Sequence, residues 1–256
     1  KYTIEVKAFM TATQIESTQD SKLVESQLST TSEKLHNNLE VGTEKRQEIW
    51  GFGQTFNELG WQALQSLSEE KRNEILDDLF KPGEGENYRI CRIPVGASDY
   101  ALNWYSLDET PGDYELKDFS IERDKKYLIP YIKAAQKRNP DIVFSASPWS
   151  PPTWMKTKPV YNYGILKHDK KTQQAYANYF VKFIQAYETE GIHISQLFPQ
   201  NEPQRDQKFP SCYWTGEELR DFIKNYLGPT FEKAGLNTDI WLGTINSPLE
   251  DTEMNR

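Results

Sequence analysis

The sequence predicts an α/β fold, a (β/α)8 TIM barrel of which about five βα units lie in this chain. Strand-like runs alternate with helical patterns at intervals of about 40 to 55 residues, which indicates parallel strands joined by crossover helices. The strand-like runs lie at 49–53, 88–95, 141–147, 192–198 and 239–244. A doubly wound sheet shows the same alternation, but the first turn, GFGQTFNELG, lacks the third glycine of the dinucleotide-binding motif. The barrel is therefore the favoured architecture.

The helical patterns carry signals for where helices begin and end. Ser68 precedes one pattern as an N-cap, and Thr215 with Glu218 forms a capping box ahead of another. Residues 170–190 place aromatic and aliphatic side chains on one stripe, and Gly191 follows as the stop. The predicted helices lie at 69–80, 124–138, 170–190 and 217–227.

Residues 1–48 differ from the rest of the chain. An alternating apolar run extends from Ile4 to Met10, and a long stretch rich in Ser, Thr and Gln follows it. This pattern predicts one or two β-strands joined by polar loops, which do not form a stable domain alone. We therefore divide the chain into residues 1–48 and a barrel portion at residues 49–256.

Composition excludes several classes of partner. The chain has 256 residues, a net charge of −8 and no basic patch, so nucleic acid is not an expected partner. No apolar run approaches the roughly 18 residues of a membrane span. Three scattered histidines and two cysteines lack metal-ligand spacing, so neither a metal nor a cofactor is expected. The chain begins with Lys1 rather than Met, which indicates a processed or trimmed chain. Its oligomeric state stays open.

Polar and aromatic side chains follow the predicted strands, where a barrel builds its active site. The positions are Gln54, Asn57 and Glu58 after the first strand, Arg92 and Asp99 with the second, Trp149 after the third, and Asn201 and Glu202 after the fourth. Trp149 and Trp154 belong to SPWSPPTW, a connection rich in Pro and Ser. Aromatic residues in such connections favour a ligand site over packing.

Glu202 stands between an asparagine and a proline at the end of a strand-like run. Pro203 restricts the preceding residue, so Glu202 is expected in an extended backbone at the strand tip. Carboxylates, amides and aromatic faces together are typical of glycoside hydrolysis, in which one carboxylic acid protonates the leaving oxygen. In this interpretation Glu202 is the general acid/base and Asn201 binds the sugar 2-hydroxyl. Arg92 keeps a neighbouring carboxylate ionised. A solvated loop glutamate is the alternative interpretation of Glu202.

Several runs, in this order, resemble glycoside hydrolase family 30, of the glucosylceramidase and β-1,6-glucanase type. They are GFG, RIPVGASDY, SPWSPPTWMK, YFVKFIQAY, PQNEP and LRDFIKNYLGPT, and the resemblance covers about residues 50–248. It implies a retaining mechanism in a (β/α)8 barrel, with an attached β-sandwich to which residues 1–48 contribute. By motif, Glu202 is the acid/base and Arg92 braces the nucleophile.

The resemblance also implies that Asp99, Trp149 and Asn201 line the subsite for the sugar that is released. Trp154 and Glu58 are further expected substrate-binding residues. Glu58 stands where the family often shows Asp, which puts the specificity of that rim in question. The nucleophile glutamate is expected after the seventh strand, outside this chain, so residues 1–256 alone are expected to be inactive. The expected substrates are β-glucosides, glucosylceramide-like glycosides or β-glucans, and the sugar, the linkage and exo or endo cleavage stay open. The expected location is secreted, periplasmic or at the cell surface.

Two other functions remain in view. A non-catalytic carbohydrate-binding protein could use the same barrel, although binding alone needs no acid/base. An aldolase-like barrel would need a strand-end lysine or a metal cluster, and the sequence shows neither.

Overall fold

The computed structural model describes residues 3–4, 14–20, 24–26, 38–39 and 44–245. The chain divides into two compact units, Lys1–Ile49 and Trp50–Arg256. Within the described ranges, no helix is long and apolar enough to cross a lipid bilayer.

Four short strands lie among the described residues of the first unit. They are β1 (Thr3–Ile4), β2 (Gln14–Glu16), β3 (Val24–Ser26) and β4 (Asn38–Leu39). Strand β1 pairs with β4 in parallel, and β2 pairs with β3 antiparallel. Most of the alternating run predicted from Ile4 to Met10 lies outside the described residues. The β-sandwich therefore stays a prediction.

The second unit is built on a parallel sheet. Its strands are β5 (Ile90–Pro94), β6 (Val143–Ser147), β7 (Ile194–Leu197) and β8 (Asp239–Ile240). They pair in chain order, and all three pairings are parallel. The pairing matches the prediction of sequential parallel strands. Strand β8 is shorter than the predicted 239–244, and only an isolated bridge between Asn201 and Thr244 continues that pairing.

The first predicted strand, at 49–53, is displaced in the structure. Thr55 bridges Arg92 in parallel, and the backbone N of Phe56 donates to the Arg92 carbonyl oxygen at 2.9 Å. The exposed fractions of Ile49, Trp50 and Phe52 are 67%, 71% and 69%. Phe56 is fully buried. The core side chain of this segment therefore follows the predicted strand at 49–53 in the sequence. A Cβ at Gly53 would lie 1.6 Å from the Ile90 carbonyl oxygen, so the close approach to β5 requires glycine.

Helices alternate with these strands along the chain. They are α1 (Glu58–Gln65), α2 (Glu69–Phe80), α3 (Glu122–Lys126), α4 (Leu128–Gln136), α5 (Lys170–Thr189), α6 (Gly216–Phe222) and α7 (Gly228–Ala234). A 3-10 turn at Thr153–Met155 and a π-helical turn at Ile223–Leu227 complete the set. The predicted caps are confirmed: Ser68 Oγ accepts from Lys71 N, and Thr215 and Glu218 form a reciprocal capping box.

The predicted helix at 124–138 is instead two helices that meet at Tyr127. Pro130 occupies the first turn of α4, where its missing N–H removes no helical hydrogen bond. A continuous helix would place the Pro130 ring against the carbonyl group of Lys126, four residues earlier, so the chain breaks before it.

Helix α5 carries the aromatic part of the core. The fully buried residues on its inner stripe are Tyr176, Tyr179, Phe180, Phe183 and Tyr187. Gly191 follows with φ of +68°, a left-handed conformation that glycine adopts without strain. The predicted stripe and the predicted stop are both confirmed.

A long irregular segment, residues 95–121, joins β5 to α3 and lies against this aromatic core. Tyr179 Oη accepts from the backbone N of Leu107 at 3.0 Å. Tyr105 and Tyr187 both donate to the buried carboxylate of Asp124, each at 2.7 Å. These contacts hold the segment that contains Asp99 against helices α3 and α5.

Candidate active site

A pocket of about 380 Å³ opens where the parallel strands end. It is lined by Thr55, Asn57, Arg92, Ser98, Asp99, Tyr100, Trp149, Asn201, Glu202 and Phe209. Thr55 and Asn57 come from the segment that pairs with β5, and the other lining residues come from β5 or from the loops after β5, β6 and β7. The carboxyl end of a parallel barrel sheet is where such a fold builds its site.

Arg92 joins the strand ends inside the pocket. Its Nε donates to Ser147 Oγ at 2.7 Å, and its Nη2 donates to Asn201 Oδ1 at 2.7 Å. Nη2 also lies 3.4 Å from Thr244 Oγ1. Burial lowers the pKa of the Arg92 guanidinium to about 10, and the charges of Glu202 and Asp99 oppose that shift. The guanidinium therefore remains a cation at neutral pH, held by groups from β6, β7 and the chain beyond β8.

Glu202 has an unusual backbone. Its φ is +45°, in the left-handed region, and not in the extended conformation that its position before Pro203 predicts. A residue distant in sequence holds this backbone: Glu202 N donates to the Thr244 carbonyl oxygen at 3.0 Å and lies 3.2 Å from Thr244 Oγ1. Strained residues of this kind cluster at functional sites.

Asn201 precedes Glu202 and is held at both ends. Its backbone N donates to the Pro148 carbonyl oxygen at 2.8 Å, and its Oδ1 accepts from Arg92 and from Thr244 Oγ1 at 3.2 Å. With its oxygen turned to these donors, the amide group of Asn201 presents its Nδ2 hydrogens elsewhere. The side chain is therefore oriented as a donor.

Asp99 is the second carboxyl group of the pocket lining. Burial raises the pKa of the Asp99 carboxyl above its usual range, the charge of Glu202 raises it further, and Arg92 opposes both effects. Hydrogen bonds from its own backbone N and from that of Tyr100 also lower the pKa. The pocket thus combines two carboxyl groups with one guanidinium.

Trp149 forms a wall of the pocket. It is 6% exposed, and the Arg92 guanidinium lies 4.4 Å from its ring centre. Its carbonyl oxygen accepts from Gln200 Nε2 at 2.8 Å, which ties the β6 loop to the chain just before Asn201. Trp149 is thus both a buried packing residue and part of the pocket surface.

Trp149→Ala is therefore expected to weaken substrate binding and also to lower the free energy of unfolding by about 3–5 kcal/mol, the cost of truncating a buried aromatic. Trp154→Ala is the matched control, since Trp154 is 7% exposed but does not line the pocket. Calorimetric melting and KM for both variants check this. Normal KM in Trp149→Ala would assign the ring to packing alone.

Two residues of the sequence-predicted binding set lie away from the pocket lining. Glu58 is 2% exposed and forms a bidentate ion pair with Arg123, with both N···O distances at 2.9 Å. Its Oε2 also accepts from the backbone N of Leu102 at 2.8 Å. Trp154 donates its Nε1 to the Asp108 carbonyl oxygen at 3.1 Å. Neither side chain lines the pocket, and a role for either in substrate binding stays a prediction.

Sequence reasoning missed several residues of the site. Ser147 and Thr244 end the predicted strands at 141–147 and 239–244, so the strand-end rule could have found them. Ser98 and Tyr100 flank Asp99 and could have been found as its neighbours. Phe209 lies in the loop after β7, and no signal in the sequence marks it. In the described part of the chain, no group of three or more His, Cys, Asp or Glu residues is placed to hold a metal ion.

Comparison with known proteins assigns the family. The Glycosyl hydrolase family 30 TIM-barrel domain matches residues 49–247. Lysosomal acid glucosylceramidase of Mus musculus is 34% identical over 199 residues, which cover 74% of this chain and 38% of the mouse protein. Endo-1,6-beta-D-glucanase of Neurospora crassa is 30% identical over 203 residues, which cover 77% of this chain and 42% of the fungal protein.

A solved structure, that of the endo-beta1,6-glucanase BT3312, superposes with a TM-score of 0.71 at 34% identity. The match covers 78% of this chain and 45% of that structure's chain. A parallel sheet with a pocket at its strand ends fits the TIM barrel that this family model describes. The chain belongs to glycoside hydrolase family 30. It spans less than half the length of each of these three proteins.

Proposed function

We propose that the protein is a retaining β-glycoside hydrolase that acts on β-glucosides, glucosylceramide-like glycosides or β-glucans, with Glu202 as its general acid/base. The observation that carries the proposal is the setting of Glu202: a strained backbone holds it at a strand end, in a pocket with Arg92, Asn201 and Asp99. The names of the mouse and Neurospora crassa relatives support this range of substrates.

Five of the pocket side chains have a role in this scheme. Glu202 protonates the leaving oxygen and later removes a proton from the attacking water. Asn201 donates from Nδ2 to the sugar 2-hydroxyl, because its Oδ1 is occupied by Arg92. Asp99 binds glycone hydroxyls, and Trp149 forms an apolar wall against the sugar ring. Arg92 supplies the fixed positive charge that keeps the nucleophile ionised.

The nucleophile needs a second carboxylate about 5 Å from the first. Among the described residues, Asp99 and Glu202 are the carboxylates that line the pocket. By the motif match to family 30, Asp99 binds the glycone and the nucleophile is a glutamate after the seventh strand. The proposal therefore takes the nucleophile from a glutamate outside this chain, and residues 1–256 by themselves are expected to lack activity.

The test uses the full-length protein with 4-nitrophenyl β-D-glucoside, glucosylceramide and β-1,6-glucan. Hydrolysis is expected for at least one of them, and proton NMR should show the β-anomer as the first product. First formation of the α-anomer would contradict the retaining mechanism. Binding of these glycosides without turnover would instead support a non-catalytic carbohydrate-binding protein on the same barrel.

A further inference from the structure

Two aromatic rings stand outside the pocket, on different loops. Trp104 belongs to the segment after β5, and Tyr161 belongs to the loop after β6. Their ring centres are 6.5 Å apart, with an angle of 63° between the planes. Trp104 is 45% exposed, although a tryptophan side chain is among the most costly to leave in water. We refer to Trp104 and Tyr161 together as the loop aromatic pair.

Hydrogen bonds fix the orientation of this pair. The Tyr161 hydroxyl donates to Glu109, and Ser106 Oγ donates to the same Glu109 oxygen at 2.8 Å. The Tyr161 carbonyl oxygen accepts from Lys156 Nζ at 3.0 Å. Ring and backbone of Tyr161 are thus both anchored, and the ring packs against Trp104. An exposed aromatic surface that is held rigid loses little conformational entropy when a ligand binds.

The chain links the loop aromatic pair to the pocket lining at two points. Trp104 lies four residues after Tyr100, which lines the pocket. On the other side, Ser211 N donates to the Tyr161 carbonyl oxygen at 3.1 Å, and Asn162 forms a bridge with Pro210. Pro210 directly follows the pocket residue Phe209. Chain neighbours of two lining residues therefore flank the pair.

We propose that the loop aromatic pair binds a second sugar unit of a β-linked oligosaccharide whose first unit occupies the pocket. This inference rests on the proposed function and narrows its substrate to a glucan or oligosaccharide. The ring faces carry partial negative charge, so they attract the C–H groups on the apolar face of a pyranose. At the rim, the Glu109 carboxylate and the Tyr161 hydroxyl can bind sugar hydroxyls. With Glu109 at the rim and a net charge of −8, a neutral sugar fits better than an anionic ligand.

The test compares two substrates with the full-length protein and its Trp104→Ala variant. One is the best of the β-1,3-, β-1,4- and β-1,6-linked glucotetraoses, and the other is β-glucosyl fluoride, a single sugar without an aromatic leaving group. Trp104→Ala is expected to lower kcat/KM on the tetraose about 10-fold through KM, because the variant lacks the ring face against which the second sugar packs. Activity on the fluoride is expected to stay within about 2-fold.

Leu67→Ala is the matched control. Leu67 is 38% exposed, but it lies beyond the end of α1, and α1 begins at the pocket rim. Leu67→Ala should change kcat/KM on neither substrate. Trp104→Phe should recover part of the activity on the tetraose. Equal losses on both substrates, or an unchanged tetraose activity in Trp104→Ala, would overturn the second sugar site.

Failure of the proposed function is distinguishable from failure of the sugar site. If the full-length protein does not hydrolyse β-glucosyl fluoride, the hydrolase assignment fails, and calorimetric titration with the tetraoses then tests the loop aromatic pair alone. Tetraose binding that weakens about 10-fold in Trp104→Ala supports the pair as a sugar site. Equal affinity in both proteins, or no binding at all, overturns it.

Discussion

Glu202→Ala is expected to lower kcat/KM about 10³-fold on β-glucosides with poor leaving groups, within the range that a general acid contributes. On 2,4-dinitrophenyl β-D-glucoside the loss in the first step should be far smaller, because this leaving group departs without protonation. Addition of azide should then restore turnover, since the small anion attacks the glycosyl intermediate without a general base. The rates on the two substrates, with and without azide, check the assignment of Glu202.

Glu202→Gln serves as the control for folding, because it keeps the length of the side chain and faces the same left-handed φ of +45°. Both variants should keep the melting temperature of the unsubstituted protein to within a few degrees. Equal losses on both substrates, without rescue by azide, would contradict a role for Glu202 in proton transfer.

Local signals in the sequence were reliable guides to helix ends. The cap at Ser68 and the capping box of Thr215 and Glu218 involve residues three positions apart, so the sequence alone contains both partners. The stop at Gly191 likewise depends on the conformation of one residue. Sequential pairing of the strands followed from their regular alternation with helices.

Contacts between distant residues account for what the sequence did not reveal. Glu202 has a left-handed backbone, and Thr244, 42 positions away, binds its N–H. Glu58 resembles a rim residue in sequence, but Arg123, 65 positions away, engages its carboxylate. In both cases the partner lies far away in the sequence, so the local pattern could not reveal the contact.

The pocket itself shows the same division. Arg92, Asp99, Trp149, Asn201 and Glu202 all line it, and each directly follows or belongs to a predicted strand. Trp154 belongs to the same aromatic connection as Trp149, but a 3-10 turn at Thr153–Met155 carries it into the protein interior. The aromatic motif therefore identified the loop that reaches the pocket. Only the geometry of the 3-10 turn shows that Trp149, and not Trp154, lines it.

Lys156→Met is expected to lower the free energy of unfolding by about 3 kcal/mol at pH 10, since each buried acceptor left unpaired costs about 1–3 kcal/mol. Lys156 is 1% exposed. Its ammonium group donates to the carbonyl oxygens of Ser211 and Tyr161 at 2.7 and 3.0 Å, and to Ser150 Oγ at 3.2 Å. These acceptors belong to the β6 loop and the β7 loop, so the lysine ties the two loops together.

Denaturant unfolding of Lys156→Met measures this loss, and Lys158→Met is the matched control. Lys158 lies in the same loop but is exposed, so its substitution should change stability by less than about 0.5 kcal/mol. Lys156→Arg should not restore the stability, because a planar guanidinium is larger and cannot reproduce three donors on one nitrogen. Full stability in Lys156→Met would show that the loops hold together without the lysine.

The dependence of the unfolding free energy on pH shows whether the stability lost in Lys156→Met comes from the buried amino group. Burial lowers the pKa of the Lys156 ammonium to about 8 in the folded protein, against 10.5 in the unfolded chain. Between these values the unfolded chain binds more protons, so the contribution of this group to stability rises with pH, by at most about 1.4 kcal/mol per pH unit. Lys156→Met lacks this gain. The difference in unfolding free energy between the two proteins should therefore widen from pH 8 to 10.5, since their other groups titrate alike. Two parallel curves over that range would mean that burial does not lower the pKa of Lys156.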